Sequence, residues 1–191
     1  HYNSCQECCQ VYIMENSVKI IDGFLPTDEF LELKELIFSQ KIPWFYKAEI
    51  SHEHEKDSLN SYLAHFLYKD DASIDCETDR GMWSQLFDTF NPVVTKIKEY
   101  DDEFHTLLRM KANLYLRTET LQVHEWHADY DFSHKGILLY FNTNDGYTEL
   151  HDGTKIESIE NRAMFFDPGK QHRSTNCTDQ KARFNLNVNY L

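Results

Sequence analysis

Long hydrophobic runs are missing from this sequence. No stretch approaches the roughly 18 to 20 consecutive apolar residues that a membrane helix requires, and no charged segment followed by an apolar one opens it. A soluble chain with no membrane partner is the expectation. Basic residues are scarce too: 19 Lys and Arg stand against 32 Asp and Glu, for a formal charge of −13. A field of that sign repels phosphate backbones and anionic bilayers, which disfavours nucleic acid as a partner and favours neutral or basic targets. Cysteine is sparse, odd in number at five, and crowded at Cys5, Cys8 and Cys9 with Cys76 and Cys177 isolated. That is no disulfide framework, and a reducing cytoplasm fits it best. Cys5 and Cys8 have the spacing of half a zinc ribbon, but no second pair follows. Internal repeats and low-complexity linkers are also absent.

What is present suits one folded domain: 191 residues, 41% hydrophobic and 14% aromatic. Met14 begins MENSVKIIDGFL, which reads as a native start, so residues 1–13 are expected to be an upstream extension and 14–191 a single domain. Helical support is expected over about 14–105 and a strand-rich core over about 108–191. In the first part, VKII is a strand candidate. Thr27 then offers an N-cap with Asp28 and Glu29 behind it, and Phe30, Leu33, Leu36 and Ile37 recur at helical spacing. Pro43 ends that element, Trp44, Phe45 and Tyr46 read as core or as a groove rim, and SHEHEKDS reads as a solvated excursion. A second helix is expected over about 81–100, interrupted at Asn91 and Pro92.

From Met110 onward the texture becomes short apolar or alternating runs, RMKANLYLR, LQVHEWHADY, GILLYFN, YTEL, TKIESI, RAMFF and RFNLNVNYL, separated by turn signals such as Asn144-Asp145-Gly146. Helices first and many short strands afterwards predict an antiparallel double-sheet barrel or sandwich buttressed by helices on one side.

Residues two apart on a strand share a face, so His127 and Asp129 in WHADY aim an imidazole and a carboxylate at one spot. A divalent first-row metal held there wants a third protein ligand, and three facial ligands leave three positions open. His172, after the strand RAMFF and the turn DPGK, can supply it from the opposite sheet. His124 is out of step with His127 and Asp129 and is left aside, and His134, His151, His52 and His54 fall in turns or polar loops. Arg173 reads as a surface residue. In the last strand, Arg183, Asn185, Asn187 and Asn189 share one face and Phe184, Leu186, Val188 and Tyr190 the other. Either the polar face meets solvent, or it lines the barrel and Arg183 binds a carboxylate with its fork. Asn113 and Tyr115 alternate with Leu114 and Leu116, which fits a cavity lining or an edge strand.

An H-x-D pair, an apolar strand, a distal His and an Arg about ten residues later is a pattern that resembles the Fe(II) and 2-oxoglutarate dependent oxygenases, in their prolyl 4-hydroxylase-like branch. WHADY, ILLYFN, DGYTEL, FFDPGKQHRS and RFNLNVNYL carry the likeness, and IIDGFLPTDEF is similar to the opening of small oxygenases of phage and marine bacterial type. The resemblance implies a mainly β fold, a double-stranded β-helix (jelly-roll, cupin-like) core buttressed by N-terminal helices. It implies Fe(II) on His127, Asp129 and His172, 2-oxoglutarate on Arg183 with Tyr115, Asn113 and Asn185 as further contacts, and ascorbate as a reductant. Hydroxylation of a peptidyl (prolyl-type) or free amino-acid side chain follows, on a small-molecule or peptide substrate. Two departures stand out: the segment before H-x-D is LYLRTETLQV, and Asn185 occupies a position that is often Ser in relatives. The alternatives are a nucleobase oxygenase or dealkylase, which a basic stripe along the pocket would mark, and a non-redox cupin-like binder, which has no need of Arg183 beside a metal.

Overall fold

The computed structural model describes residues 10–13, 18–48, 61–70 and 82–191. Cys5, Cys8, Cys9, Met14, SHEHEKDS with His52 and His54, and Cys76 lie outside the described residues. The strands are β1 (Gln10–Ile13), β2 (Lys19–Asp22), β3 (Phe45–Lys47), β4 (Tyr62–Lys69), β5 (Met82–Trp83), β6 (Leu107–Leu116), β7 (Lys135–Tyr140), β8 (Tyr147–Leu150), β9 (Lys155–Glu157), β10 (Arg162–Phe166), β11 (His172–Ser174) and β12 (Ala182–Tyr190), and the helices are α1 (Thr27–Phe38) and α2 (Asn91–Tyr100). The fold is mainly β. A large antiparallel sheet runs β1-β2-β10-β7-β12-β6-β4-β3, with β5 beside β4, and a small one runs β11-β8-β9. No helix among the described residues is long and apolar enough to cross a membrane.

The large sheet has two buried faces. Against one pack α1, through Phe30, Leu33 and Ile37, and α2, through Val93 and Ile97, meeting Met110, Ala112, Ile137, Leu139, Leu186, Val188 and Tyr190. Both helices contribute residues three or four apart, the spacing that makes one apolar stripe. The other face looks toward the small sheet, where Ile20, Leu138, Met164, Phe166 and Ile156 form a lesser cluster.

Local details differ from expectation in three places. Helix α1 begins at Thr27 itself, without a side-chain cap; Pro26 holds the cap position and its carbonyl accepts from Phe30 N–H at 2.9 Å. Pro92 sits in the first turn of α2 instead of interrupting a longer helix, because the missing N–H costs nothing there; before it lie β5 and a short 3-10 turn, Phe87–Phe90. The region expected to be helical support also supplies β3 and β4 to the large sheet. The alternation of β4 is broken by a register shift between Phe66 and Tyr68, which hides its period of two. Phe45 and Tyr46 are exposed there, while Trp44 packs on the core.

Candidate metal and carboxylate site

The inner face of the large sheet is polar where β6 and β12 pair. Their register sets Arg183 opposite Tyr115, Asn185 opposite Asn113 and Asn187 opposite Lys111, and β7 adds Tyr140 and Leu138 opposite Asn185 and Asn187. Arg183, Asn185, Asn187 and Asn189 are all buried, so the face lines the interior and does not meet solvent. Burying such groups is costly unless they are hydrogen-bonded or meet a ligand.

LQVHEWHADY is not a strand. It is an extended segment tied to β11 and the residue after it by isolated bridges, Val123 to Thr175 and His127 to His172. His127 N–H donates to His172 O and His172 N–H to His127 O, both at 2.9 Å, and Asp129 N–H donates to Pro168 O at 2.8 Å. These anchors bring the two side chains to one place without a regular ladder. One ligand atom from each of His127, Asp129 and His172 lies within 4.8 Å of the other two.

Each of the three is prepared for a cation. Nδ1 of His172 is 2.9 Å from Lys170 O and Nδ1 of His127 is 3.2 Å from Glu125 O. A carbonyl can only accept, so each Nδ1 carries the proton and each Nε2 keeps a lone pair. Burial, aided by the nearby His172 and opposed by Asp129, holds His127 neutral, with its pKa lowered to about 4. Oδ2 of Asp129 accepts from Arg109 Nη2, Asn187 Nδ2 and Asn189 Nδ2, each at 2.9 Å, which leaves Oδ1 for a metal. Burial pushes the Asp129 carboxyl up, but Arg109 foremost, then His172 and Lys111, outweigh it and keep it well below the usual carboxylate range. Two imidazoles and one carboxylate whose ligand atoms lie this close are a donor set suited to a first-row divalent metal, Fe(II) included.

Arg183, fully buried, is fixed by hydroxyls: Nε donates to Ser158 Oγ at 2.6 Å, Nη1 to Ser174 Oγ and to Thr175 O at 3.0 Å, and Nη2 to Thr148 Oγ1 at 3.1 Å. No carboxylate pairs with it among the described residues. The Tyr140 hydroxyl is a further hydrogen-bond partner of the guanidinium. Gly146 lets the β7–β8 connection pass directly over this side chain, since a Cβ there would sit 2.7 Å from Arg183 Cδ and 2.4 Å from Asn176 O. A single cavity is bordered by His127, Asp129 and His172, by Tyr115, Asn113 and Asn185, and by Ser174 and Thr148 of the Arg183 clasp. Asn113 Nδ2 donates to Asn185 Oδ1 at 2.9 Å, while Asn113 Oδ1 is buried without a partner among the described residues, an orphan in the cavity wall.

Several participants escaped sequence reasoning. Arg109, Asn187 and Asn189 clamp Asp129, and Tyr140, which donates to Thr148 Oγ1 at 2.9 Å, lies with its ring 5.4 Å from Arg183 Cζ. The alternation of β6 and β12 exposes the first three; Tyr140 reads as a core strand residue. His124 is buried with its ring 5.1 Å from that of Tyr115. Burial first, then Arg183 and His127, lower its pKa to about 3. His134 is also buried, against the expectation of an exposed loop residue. Arg173 pairs with Glu149 at 2.8 Å and lies over the Trp126 ring at 4.3 Å.

No protein-family model matches the sequence, and no curated protein matches it. Its structure does have counterparts. An oxidoreductase of the 2OG-Fe(II) oxygenase family from Burkholderia pseudomallei superposes with a TM-score of 0.69 at 11% identity, over 91% of this chain and 84% of that one. A prolyl hydroxylase from Trichoplax adhaerens, in complex with a hypoxia inducible factor peptide fragment, gives 0.63 at 12% identity over 93% and 84%. The viral collagen prolyl hydroxylase of Paramecium Bursaria Chlorella virus-1, in its 2OG complex, gives 0.59 at 13% identity over 93% and 97%. The chain thus shares the fold of the 2OG-Fe(II) oxygenases. Among them, the likeness extends to prolyl hydroxylases over nearly the whole chain.

Proposed function

We propose that the protein is an Fe(II)- and 2-oxoglutarate-dependent dioxygenase built on a double-stranded β-helix, with the two helices buttressing the large sheet. His127, Asp129 and His172 would hold the iron, and Arg183 the distal carboxylate of 2-oxoglutarate, with Tyr115, Asn113 and Asn185 along the co-substrate's path. The observation that carries this reading is a His-Asp-His cluster in a cavity also bordered by Ser174 and Thr148, the hydroxyl partners of a fully buried guanidinium that lacks a carboxylate among the described residues. A buried cation without a counter-ion is costly, and a dicarboxylate reaching from the metal would relieve it. A cupin-like binder that holds only a metal has no use for such a group.

Iron and 2-oxoglutarate, when bound, would supply hydroxylation of a substrate C–H bond, one oxygen atom of dioxygen going to the substrate and the other to succinate as carbon dioxide is lost. The chain's own part is to keep Nδ1–H of both histidines on carbonyls, to fix Asp129 through Oδ2, and to leave half of the coordination sphere open. Ascorbate would serve as a reductant. The side chain of a free amino acid or of a peptide is the proposed target.

The test is Fe(II)-dependent formation of succinate from 2-oxoglutarate by the full chain, with and without candidate substrates. His127→Ala and Asp129→Ala should abolish it. Succinate formed by these variants as fast as by the parent would overturn the ligand assignment.

A further inference from the structure

Net charge favours neutral or basic targets, yet the local charge beside the cavity has the opposite sign. The register of β4 with β6 sets Phe66 opposite Lys111 and Ala64 opposite Asn113, and that of β3 with β4 sets Lys47 opposite Tyr62. Lys47, Tyr62, Phe66 and Lys111 therefore share the face that carries Asn113 and Tyr115. The Phe66 ring is ringed by three ammonium groups, with Lys47 Nζ at 5.1 Å, Lys111 Nζ at 5.8 Å and Lys69 Nζ at 5.9 Å from its centre. Lys111 donates to Tyr62 OH at 3.3 Å and borders the same cavity as His127 and Asp129. Neither Lys47 nor Lys111 has a carboxylate within ion-pair distance among the described residues. In a chain with 32 acidic and 19 basic residues, Lys47 and Lys111, gathered at one ring without carboxylates, are the exception to be explained.

The metal cluster does not need them. Arg109 already offsets the one ligand carboxylate, Asp129, so Lys111 adds positive charge to a site that a divalent ion would make more positive still. A bound dicarboxylate would satisfy Arg183 and part of the metal's charge, leaving Lys111 to the field of Asp129, a carboxylate that Arg109 already pairs.

We propose that the face formed by Lys111, Lys47 and Phe66 is the substrate subsite, and that the substrate is a small acid. Its carboxylate or phosphate group is received by Lys111 and Lys47, and its apolar body lies along Phe66 toward the metal ligands. This rests on the oxygenase reading and narrows it: a free amino acid or comparable small acid presents an anionic group beside the carbon to be oxidised, whereas a residue inside a peptide has lost its α-carboxylate to the chain. Nucleic acid fits less well. Three ammonium groups around one ring make no stripe along a backbone, and a chain of −13 repels a polyanion at a distance.

The test measures equilibrium binding to the full chain with 2-oxoglutarate held at saturation, so that Arg183 is occupied. The probes are phenylacetate, phenyl phosphate, the neutral phenylacetamide, and a short single-stranded oligonucleotide. At least one of the two small anions should bind about tenfold or more tighter than phenylacetamide, as a charge-assisted contact predicts. Whichever anion leads identifies carboxylate or phosphate as the natural group. Lys111→Gln and, independently, the partly exposed Lys47→Gln should reduce that preference, with 2-oxoglutarate affinity within about twofold of the parent. Equal binding of phenylacetamide and the anions, or a preference that survives both substitutions, would overturn the proposal. So would tighter binding of the oligonucleotide than of either small anion. Loss of 2-oxoglutarate binding in Lys111→Gln but not in Arg183→Ala would instead overturn the assignment of Arg183, and the two failures are thereby distinguishable.

Discussion

The two faces of β12 make opposite use of the same strand. Leu186, Val188 and Tyr190 pack against α1 and α2 in the main core, while Arg183, Asn185, Asn187 and Asn189, between them in sequence, are buried just as completely on the side of the small sheet. An apolar face is buried because burial itself stabilises it. A polar face is buried only where its groups find partners, and here those partners are the Asp129 carboxylate, three hydroxyls and a cavity. The stability of the protein and the chemistry of its site should therefore be separable along one strand.

Leu186→Ala should show the larger effect, a loss of about 2–5 kcal/mol in unfolding by denaturant, with Co(II) affinity of the folded protein little changed. A metal affinity that collapses along with stability would mean that the faces are not independent. Asn187→Ala and Asn189→Ala should do the reverse. Each removes one donor from Asp129 Oδ2, so each should weaken Co(II) binding by about 10–100-fold with a smaller cost in stability, read by metal titration beside thermal melting. Unchanged metal affinity would show that Arg109 alone holds the carboxylate.

How much of this was legible follows from the same contrast. The alternation in RFNLNVNYL and in RMKANLYLR marks two faces without ambiguity, and His127, Asp129 and His172 come together in one cluster while Arg183 is buried. The alternation does not say whether a polar face meets water or a cavity, since both leave the same period; that depends on the small sheet, whose strands are three or four residues long and too short to show periodicity. Strand β4 was missed because its bulge interrupts the alternation, and Tyr140 because a tyrosine amid ILLYFN is indistinguishable from core. The clamp of Arg109 on Asp129 joins residues on separate elements, and no local pattern announces it. The lysines around Phe66 are equally invisible to a net charge.

A smaller effect concerns pH. Burial lowers His124 to about 3 and His127 to about 4, from an ordinary 6.5. Below 6.5 the unfolded chain takes up protons that the folded chain refuses, so stability is full above that pH and is lost as pH falls toward 4 and then 3. The metal-free protein should melt at progressively lower temperature over that window, and His124→Gln should flatten its lower part. A melting temperature independent of pH there would contradict the neutral state assigned to both rings.

The most direct measurement is an anaerobic titration of the Fe(II)-loaded chain with 2-oxoglutarate, followed by the visible charge-transfer band expected when the keto acid chelates iron. The parent should develop the band, and Arg183→Ala should need about 30-fold or more 2-oxoglutarate to do so, the consequence of deleting one partner of a buried charge pair. No band in the parent, or a variant that titrates as the parent does, would contradict the pairing of metal cluster and guanidinium on which the account rests.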